Sequence, residues 1–285
     1  MCSSGVGGSI AFGPGRLGES RVALSIEAAM ARSAMNAVRK FFREVKSPAD
    51  AVEFFWRLVV PADPCLRQTR SWMWGRLPRL DLRQIFPSIE STSLLLLDVY
   101  GRHNRGLQTE ELTALLAIAK SLRGKTLLEI GTCDGGTTLN LAANTSPETR
   151  VFTLDLGPDW NGEFAIKTPS GYQYPTEASL VGQRFRGTPY AAKITQIFGD
   201  SAKLDWSKLP GPFDMVFIDG CHSFEYVVHD TENALKNIRP GGLVVWHDYG
   251  YVKAVSDVVD ESSTRMKVCA IAGTRLAVGF IPGLP

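Results

Sequence analysis

From residue 106 onward, short apolar runs alternate with amphipathic stretches, and the hydrophobic period changes at each boundary. The runs at 126–130, 150–154, 194–198, 213–218 and 242–246 are almost continuously apolar, the pattern of strands covered on both faces in a parallel sheet. Helical spacing fills the gaps. In 109–122, Leu112, Leu115, Leu116 and Ala119 share one face, Thr109 is placed to cap, and Glu110 and Glu111 suit the positive end. Further helices are expected near 136–144, 222–239 and 251–263. The 222–239 helix has Glu225 near its start, Lys236 and Arg239 at its end, and Pro240-Gly241-Gly242 as its stop signal. Val268–Ile271 and Leu276–Phe280, on either side of Gly273, predict a hairpin. The order implies a doubly wound α/β fold with a mostly parallel sheet and an antiparallel C-terminal hairpin strand.

The first hundred residues read differently. Residues 1–20 are rich in Gly and Ser and predict a disordered leader. Residues 22–46 carry Ile26, Met30, Ala34, Val38, Phe41 and Val45 at helical spacing, with Arg32, Arg39, Lys40, Arg43 and Lys46 elsewhere. An organelle-targeting leader, a membrane-surface helix and a helix packed on the following domain all fit that stripe. Met30 and Met35 are alternative starts. Residues 50–105 mix prolines with Trp56, Trp72 and Trp74 and predict irregular helices and loops. The expected division is a leader (1–20), a helical and irregular N-terminal region (21–105) and an α/β domain (106–285). Within that domain, 157–192 is a long polar insertion bearing Trp160, Tyr172, Tyr174 and Tyr190. Its length suits a lid.

Composition narrows the partners. A net charge of +2 over 285 residues, with no long basic block, gives no nucleic-acid footprint. No uninterrupted apolar run approaches the ~20 residues of a membrane span. Five scattered cysteines without a C-x-x-C pair argue against a disulfide framework, so a reducing, cytoplasmic setting is expected.

The most informative stretch is Leu127 to Gly136, Leu-Leu-Glu-Ile-Gly-Thr-Cys-Asp-Gly-Gly. An apolar strand delivers Glu129; Gly131, Thr132 and Gly135 form a loop; and Thr137 opens a helix. Glycines there allow close backbone approach to a nucleotide-like ligand, and the helix start offers free N–H groups. Cys133 stands where a dinucleotide fingerprint has its middle glycine. In open α/β sheets ligands sit beyond the carboxyl ends of the strands, so strand-end acids are candidates. Asp155 ends the second strand and can accept ribose hydroxyls; Asp200 and Ser201 follow the third and can face an adenine edge. Each is equally a common turn or cap residue. Asp219 and Asp248 end the next two strands, with His222 three residues past Asp219 and His247 beside Asp248. Two carboxylates suit Mg²⁺, and an added histidine shifts preference toward Mn²⁺, Fe²⁺ or Zn²⁺. His229 reads as packing.

With LLEIGTCDGGTTLNLA, VFTLD, GDSA, FIDGCHSFEYVVHD and IRPGGLVVWHDY in hand, residues 108–281 resemble S-adenosylmethionine (SAM)-dependent methyltransferases. The similarity is to the Rossmann-like, metal-dependent O-methyltransferases of macrolide-sugar and catechol type. It implies a seven-stranded sheet, with SAM held by Glu129, Gly131, Thr132, Gly135, Thr137, Asp155, Asp200, Ser201 and Asp219. It further implies Mg²⁺ on Asp219 and Asp248, with His247 as a third candidate, His222 as general base, and a small hydroxylated acceptor. His247 and Tyr249 depart from the acid or amide those relatives carry beside Asp248. Metal-independent transfer to another acceptor, a non-catalytic SAM-binding subunit, and a homodimer built on the N-terminal helices remain open alternatives.

Overall fold

The computed structural model describes residues 74–97, 106–160, 162–167 and 177–283. The leader, the 22–46 stripe, Trp56, Trp72, Tyr172 and Tyr174 lie outside the described residues. Arg79–Leu80 (β1), Leu82–Ile85 (α1) and a 3₁₀ turn at Pro87–Ser91 lead into Thr109–Leu122 (α2). Then come Thr126–Ile130 (β2), Gly136–Asn144 (α3), Arg150–Asp155 (β3), Ile194–Phe198 (β4), Phe213–Ile218 (β5) and Phe224–Asn237 (α4). Ile238–Trp246 (β6), Lys253–Ser262 (α5), Lys267–Ile271 (β7) and Ala277–Phe280 (β8) complete the order.

One eight-stranded sheet runs β1-β7-β8-β6-β5-β2-β3-β4. All pairings are parallel except those of β8, which runs antiparallel to β6 and β7. This is the expected Rossmann-like doubly wound fold with its C-terminal hairpin; the two-residue edge strand β1 is an eighth strand that the pattern did not predict. The central strands are buried on both faces. In β5, Val216 and Ile218 enter the core under α4 and α5, while Met215 and Phe217 enter the core under α2 and α3. That is why the sequence shows unbroken apolar runs instead of alternation.

Two expected boundaries move. Gln108, not Thr109, caps α2: its backbone N–H donates to Glu111 Oε2 at 2.9 Å in a capping box. α4 ends at Asn237, two residues short of the expected 239, and Pro240-Gly241-Gly242 lies inside β6, where the register against β5 shifts between Phe213 and Met215. A Cβ on Gly242 would meet Ile238 Cγ2 at 2.5 Å and the Asp214 carbonyl oxygen at 2.8 Å, so the irregularity admits only glycine.

Strand order reverses between β2 and β5, which are neighbours although β3 and β4 separate them in sequence. Beyond their carboxyl ends lies the crevice such folds use for ligands.

Candidate active site

The β2–α3 loop occupies that crevice. Gly131 has φ +101° and Gly135 φ +88°, and Cys133, a non-glycine, also sits at φ +48°. A side chain at 131 would strike the Asp219 carbonyl oxygen at 2.2 Å, and one at 135 the Phe185 ring at 2.7 Å. Both glycines therefore let the loop lie against protein: the β5 tip on one side, and the start of the β4 approach on the other. The Cys133 N–H donates to Asp155 Oδ2 at 2.7 Å, so the loop also bridges to the β3 tip.

Glu129 lies beneath the loop and is only 1% exposed. Thr138 and Thr153 donate to its Oε2, while Oε1 has no hydrogen-bond partner among the described residues. Burial, reinforced by the charges of Asp219 and Asp155, raises its pKa to about 8 against the two threonine hydrogen bonds. Thr132 is buried too, its hydroxyl 2.7 Å from that of Thr153. Thr137 is half-buried on the first turn of α3.

Asp155 is half-buried; the N–H groups of Cys133 and Leu156 donate to its two oxygens, each at 2.7 Å, and burial nevertheless raises its pKa. Asp200 is 7% exposed and heavily engaged. Its oxygens accept from the Ala165 N–H at 2.8 Å, the Ala202 N–H at 2.9 Å and the Tyr226 hydroxyl at 2.8 and 2.9 Å. Trp160 packs on Phe164, and Phe164 meets Tyr226 edge-on with centroids 5.9 Å apart. Asp200 thus ties the beginning of the 157–192 insertion to α4. Ser201 is buried, and its carbonyl accepts from Trp206 Nε1 at 3.0 Å. His229 lies against Asp230 and Asn233, within α4.

Across the crevice, the tips of β5 and β6 bring Asp219, His222, His247 and Asp248 together. His247 is 6% exposed and faces a carboxylate at each ring nitrogen: Nδ1 is 2.9 Å from Asp219 Oδ1 and Nε2 is 3.1 Å from Glu111 Oε2. Burial disfavours its charged form, but Asp219, Asp248 and Glu111 outweigh it and hold the pKa well above the usual imidazole value. His222 Nε2 lies 3.4 Å from Asp219 Oδ1 and 3.6 Å from Asp248 Oδ2, with 26% of its side chain exposed. Its pKa is also raised, because the two carboxylates overcome burial. Asp219 is held well below the carboxylate range by His247 and His222, again against burial.

Two members of this cluster were not among the sequence candidates. Arg275, from the β7–β8 turn, grips Glu111 with Nε at 2.7 Å and Nη2 at 2.9 Å, while its Nη1 donates to Asp248 Oδ1 at 2.8 Å. The Tyr251 ring lies 4.9 Å from its guanidinium carbon. Asp248 itself sits in the left-handed region at φ +58°. Glu111 left a sequence trace: it precedes Leu115 and Ile118 by four and seven residues, so it shares the buried face of α2. Arg275 left a fainter one, a charge set between the two apolar runs of the hairpin.

Residues 128–249 match a family model described as a methyltransferase domain. The chain is 27% identical over 154 residues to a catechol O-methyltransferase of Mycobacterium tuberculosis (strain ATCC 25618 / H37Rv), covering 53% of this chain and 61% of that one. The match thus spans about three fifths of the relative's length. The crystal structure of cofactor-bound Rv0187 from MTB superimposes with a TM-score of 0.50 at 19% identity, over 84% of this chain and all of that one. A structure described as an O-methyltransferase from Klebsiella pneumoniae gives 0.49 at 15% identity, over 81% and 96%. The matched span ends at Tyr249, so Arg275, like Glu111, falls outside it.

The metal expected on Asp219, Asp248 and His247 does not suit the donor set. Each ring nitrogen of His247 lies within hydrogen-bond distance of a carboxylate oxygen, so neither faces an open position for a cation. Asp248 already faces a guanidinium. Among the described residues, no group of three or more His, Cys, Asp and Glu is disposed to hold a metal ion. No helix among them is long and apolar enough to cross a membrane.

Proposed function

We propose that this chain transfers the methyl group of SAM to an oxygen of a small hydroxylated acceptor. The observation that carries the reading is the position of His222. It is an imidazole fixed by Asp219 and Asp248 at the rim of the crevice, beside the glycine loop. Asp155 would hold the ribose hydroxyls of the cofactor and the Asp200–Ser201 turn its adenine edge, with Glu129 and Thr132 supporting the glycine loop from below. When bound, SAM supplies an electrophilic methyl group and a thioether leaving group.

The protein's part is proton handling and alignment. With Nε2 turned to the carboxylates, Nδ1 is the nitrogen of His222 left to take the acceptor's hydroxyl proton. As that proton leaves, the acceptor oxygen forms its bond to the methyl carbon while the carbon–sulfur bond breaks. Asp219 and Asp248 stabilise the imidazolium produced. The segment at 157–167, anchored through Asp200 and Tyr226, is placed to cover the cofactor and shed water. Acceptor choice is assigned to the 157–192 insertion.

His222→Ala is expected to lower turnover roughly 10²–10⁴-fold, the usual scale for a lost general base, while SAM affinity stays within a few-fold. A radiolabelled methyl-transfer assay on phenolic and sugar acceptors, paired with calorimetry for the cofactor, measures both. Unchanged turnover would remove His222 from the mechanism.

A further inference from the structure

We infer that Arg275, clamped between Glu111 and Asp248, takes from Asp248 the lone pair a divalent cation would need while His222 and His247 bridge Asp248 to Asp219, so that this site excludes Mg²⁺ and Mn²⁺ and works without them. The inference deepens the methyl-transfer reading by assigning the resident cation of the same site.

The argument is geometric. A divalent ion on Asp219 and Asp248 needs oxygen lone pairs from both and a gap free of other positive charge. Asp248 Oδ1 accepts from Arg275 Nη1 at 2.8 Å, and its Oδ2 lies 3.6 Å from His222 Nε2. Asp219 Oδ1 faces His247 Nδ1 at 2.9 Å and His222 Nε2 at 3.4 Å. Each of the two acids therefore already meets positive or hydrogen-donating side chains. The cluster sets three carboxylates, Glu111, Asp219 and Asp248, against the Arg275 guanidinium and the imidazoles of His222 and His247.

Nor is Arg275 loosely placed. Glu111, 1% exposed, takes it bidentately at 2.7 and 2.9 Å and accepts from its backbone N–H at 3.1 Å. The Tyr251 ring packs against the guanidinium, and only 16% of the arginine side chain is exposed. A planar, permanently charged fork gripped from three sides does not swing away as a surface lysine does. Arg275 is a positioning residue. It fixes Asp248, which in turn helps orient His222.

The test uses the full chain, stripped with EDTA and desalted, and titrated with Mn²⁺ while the free-ion electron paramagnetic resonance signal is followed. The wild type is expected to leave the signal unattenuated. Arg275→Met, which keeps the aliphatic stem against Tyr251 but removes the charge, is expected to gain saturable Mn²⁺ binding, and adding Asp248→Asn should abolish it. Saturable binding by the wild type that Asp219→Asn removes would overturn the inference, and would do so even if the Met variant failed to fold. A folded Arg275→Met protein that leaves Mn²⁺ free would equally overturn it, since Arg275 would then not be what excludes the ion. Calorimetry with S-adenosylhomocysteine on the same EDTA-treated sample reads the cofactor proposal separately. Absent binding there would sink methyl transfer while leaving the Mn²⁺ result standing.

Discussion

Glu129 keeps its proton because the interior beneath the β2–α3 loop gives its charge almost no solvation. Desolvation dominates, with Asp219 and Asp155 adding repulsion, and the pKa of about 8 exceeds the ordinary ~4.3 of a free glutamate. Between those values the unfolded chain releases a proton that the fold retains. Stability from this residue is therefore full at low pH and is lost as pH rises toward 8. Glu129→Gln keeps the shape and cannot ionise. Its thermal midpoint is expected to match the wild type near pH 4 and exceed it at pH 8.5, by ~2–4 °C for each kcal/mol recovered. A wild-type midpoint that holds level with the variant across that range would mean Glu129 is ionised in the fold.

At the scale of elements, the informative join is between the segment at 74–80 and the last third of the chain. Tyr249 is 1% exposed, and its hydroxyl donates to Asp260 Oδ1 at 2.7 Å and accepts from the Leu77 N–H at 2.8 Å. Gly75, at φ +91°, lies so close that a Cβ would fall 2.3 Å from that hydroxyl oxygen. These contacts deliver Arg79–Leu80 to the edge of β7. Tyr249→Phe strands the Leu77 N–H and removes one of the two donors to Asp260 Oδ1, which keeps the Arg76 N–H. The expected cost is ~1–3 kcal/mol, read by chemical denaturation, with hydrogen exchange accelerated first at Leu77 and β1. Exchange rising evenly over the sheet would show that β1 is not docked through this hydroxyl. Tyr249 directly follows Asp248, so one turn both docks the edge strand and presents an acid to the crevice.

For the whole molecule, the doubly wound topology puts the five tips of β2 to β6 and the β7–β8 turn on one rim, and ligand binding there should be read by the fold as a unit. A ligand bound only by the folded state adds ~2.7 kcal/mol at a hundredfold excess over Kd. S-adenosylhomocysteine at that excess is expected to raise the thermal midpoint by roughly 5–10 °C, and NAD to leave it unchanged. The reverse ranking would turn the chain into a dinucleotide-binding protein. Cys133 at φ +48° in the middle glycine's place is the local reason to expect the first outcome.

The amino-acid sequence by itself determined the strands at the heart of the sheet, the helices between them and the strand ends that carry acids. Those features are local: a run of buried β-branched residues, a cap, a glycine turn. It placed Asp155, Asp219, His222, His247 and Asp248 at strand ends because a parallel sheet sends every such end to one side. The partners of those groups were decided only by tertiary structure. Glu111 and Arg275 lie 164 residues apart and meet through a pair of charge-assisted hydrogen bonds that no window of sequence contains. Two carboxylates in sequence look like an open cation site, since their spacing is visible and their neighbours are not. Folding brings the guanidinium to Asp248, and long-range electrostatics, which periodicity does not encode, then sets the charge of the site.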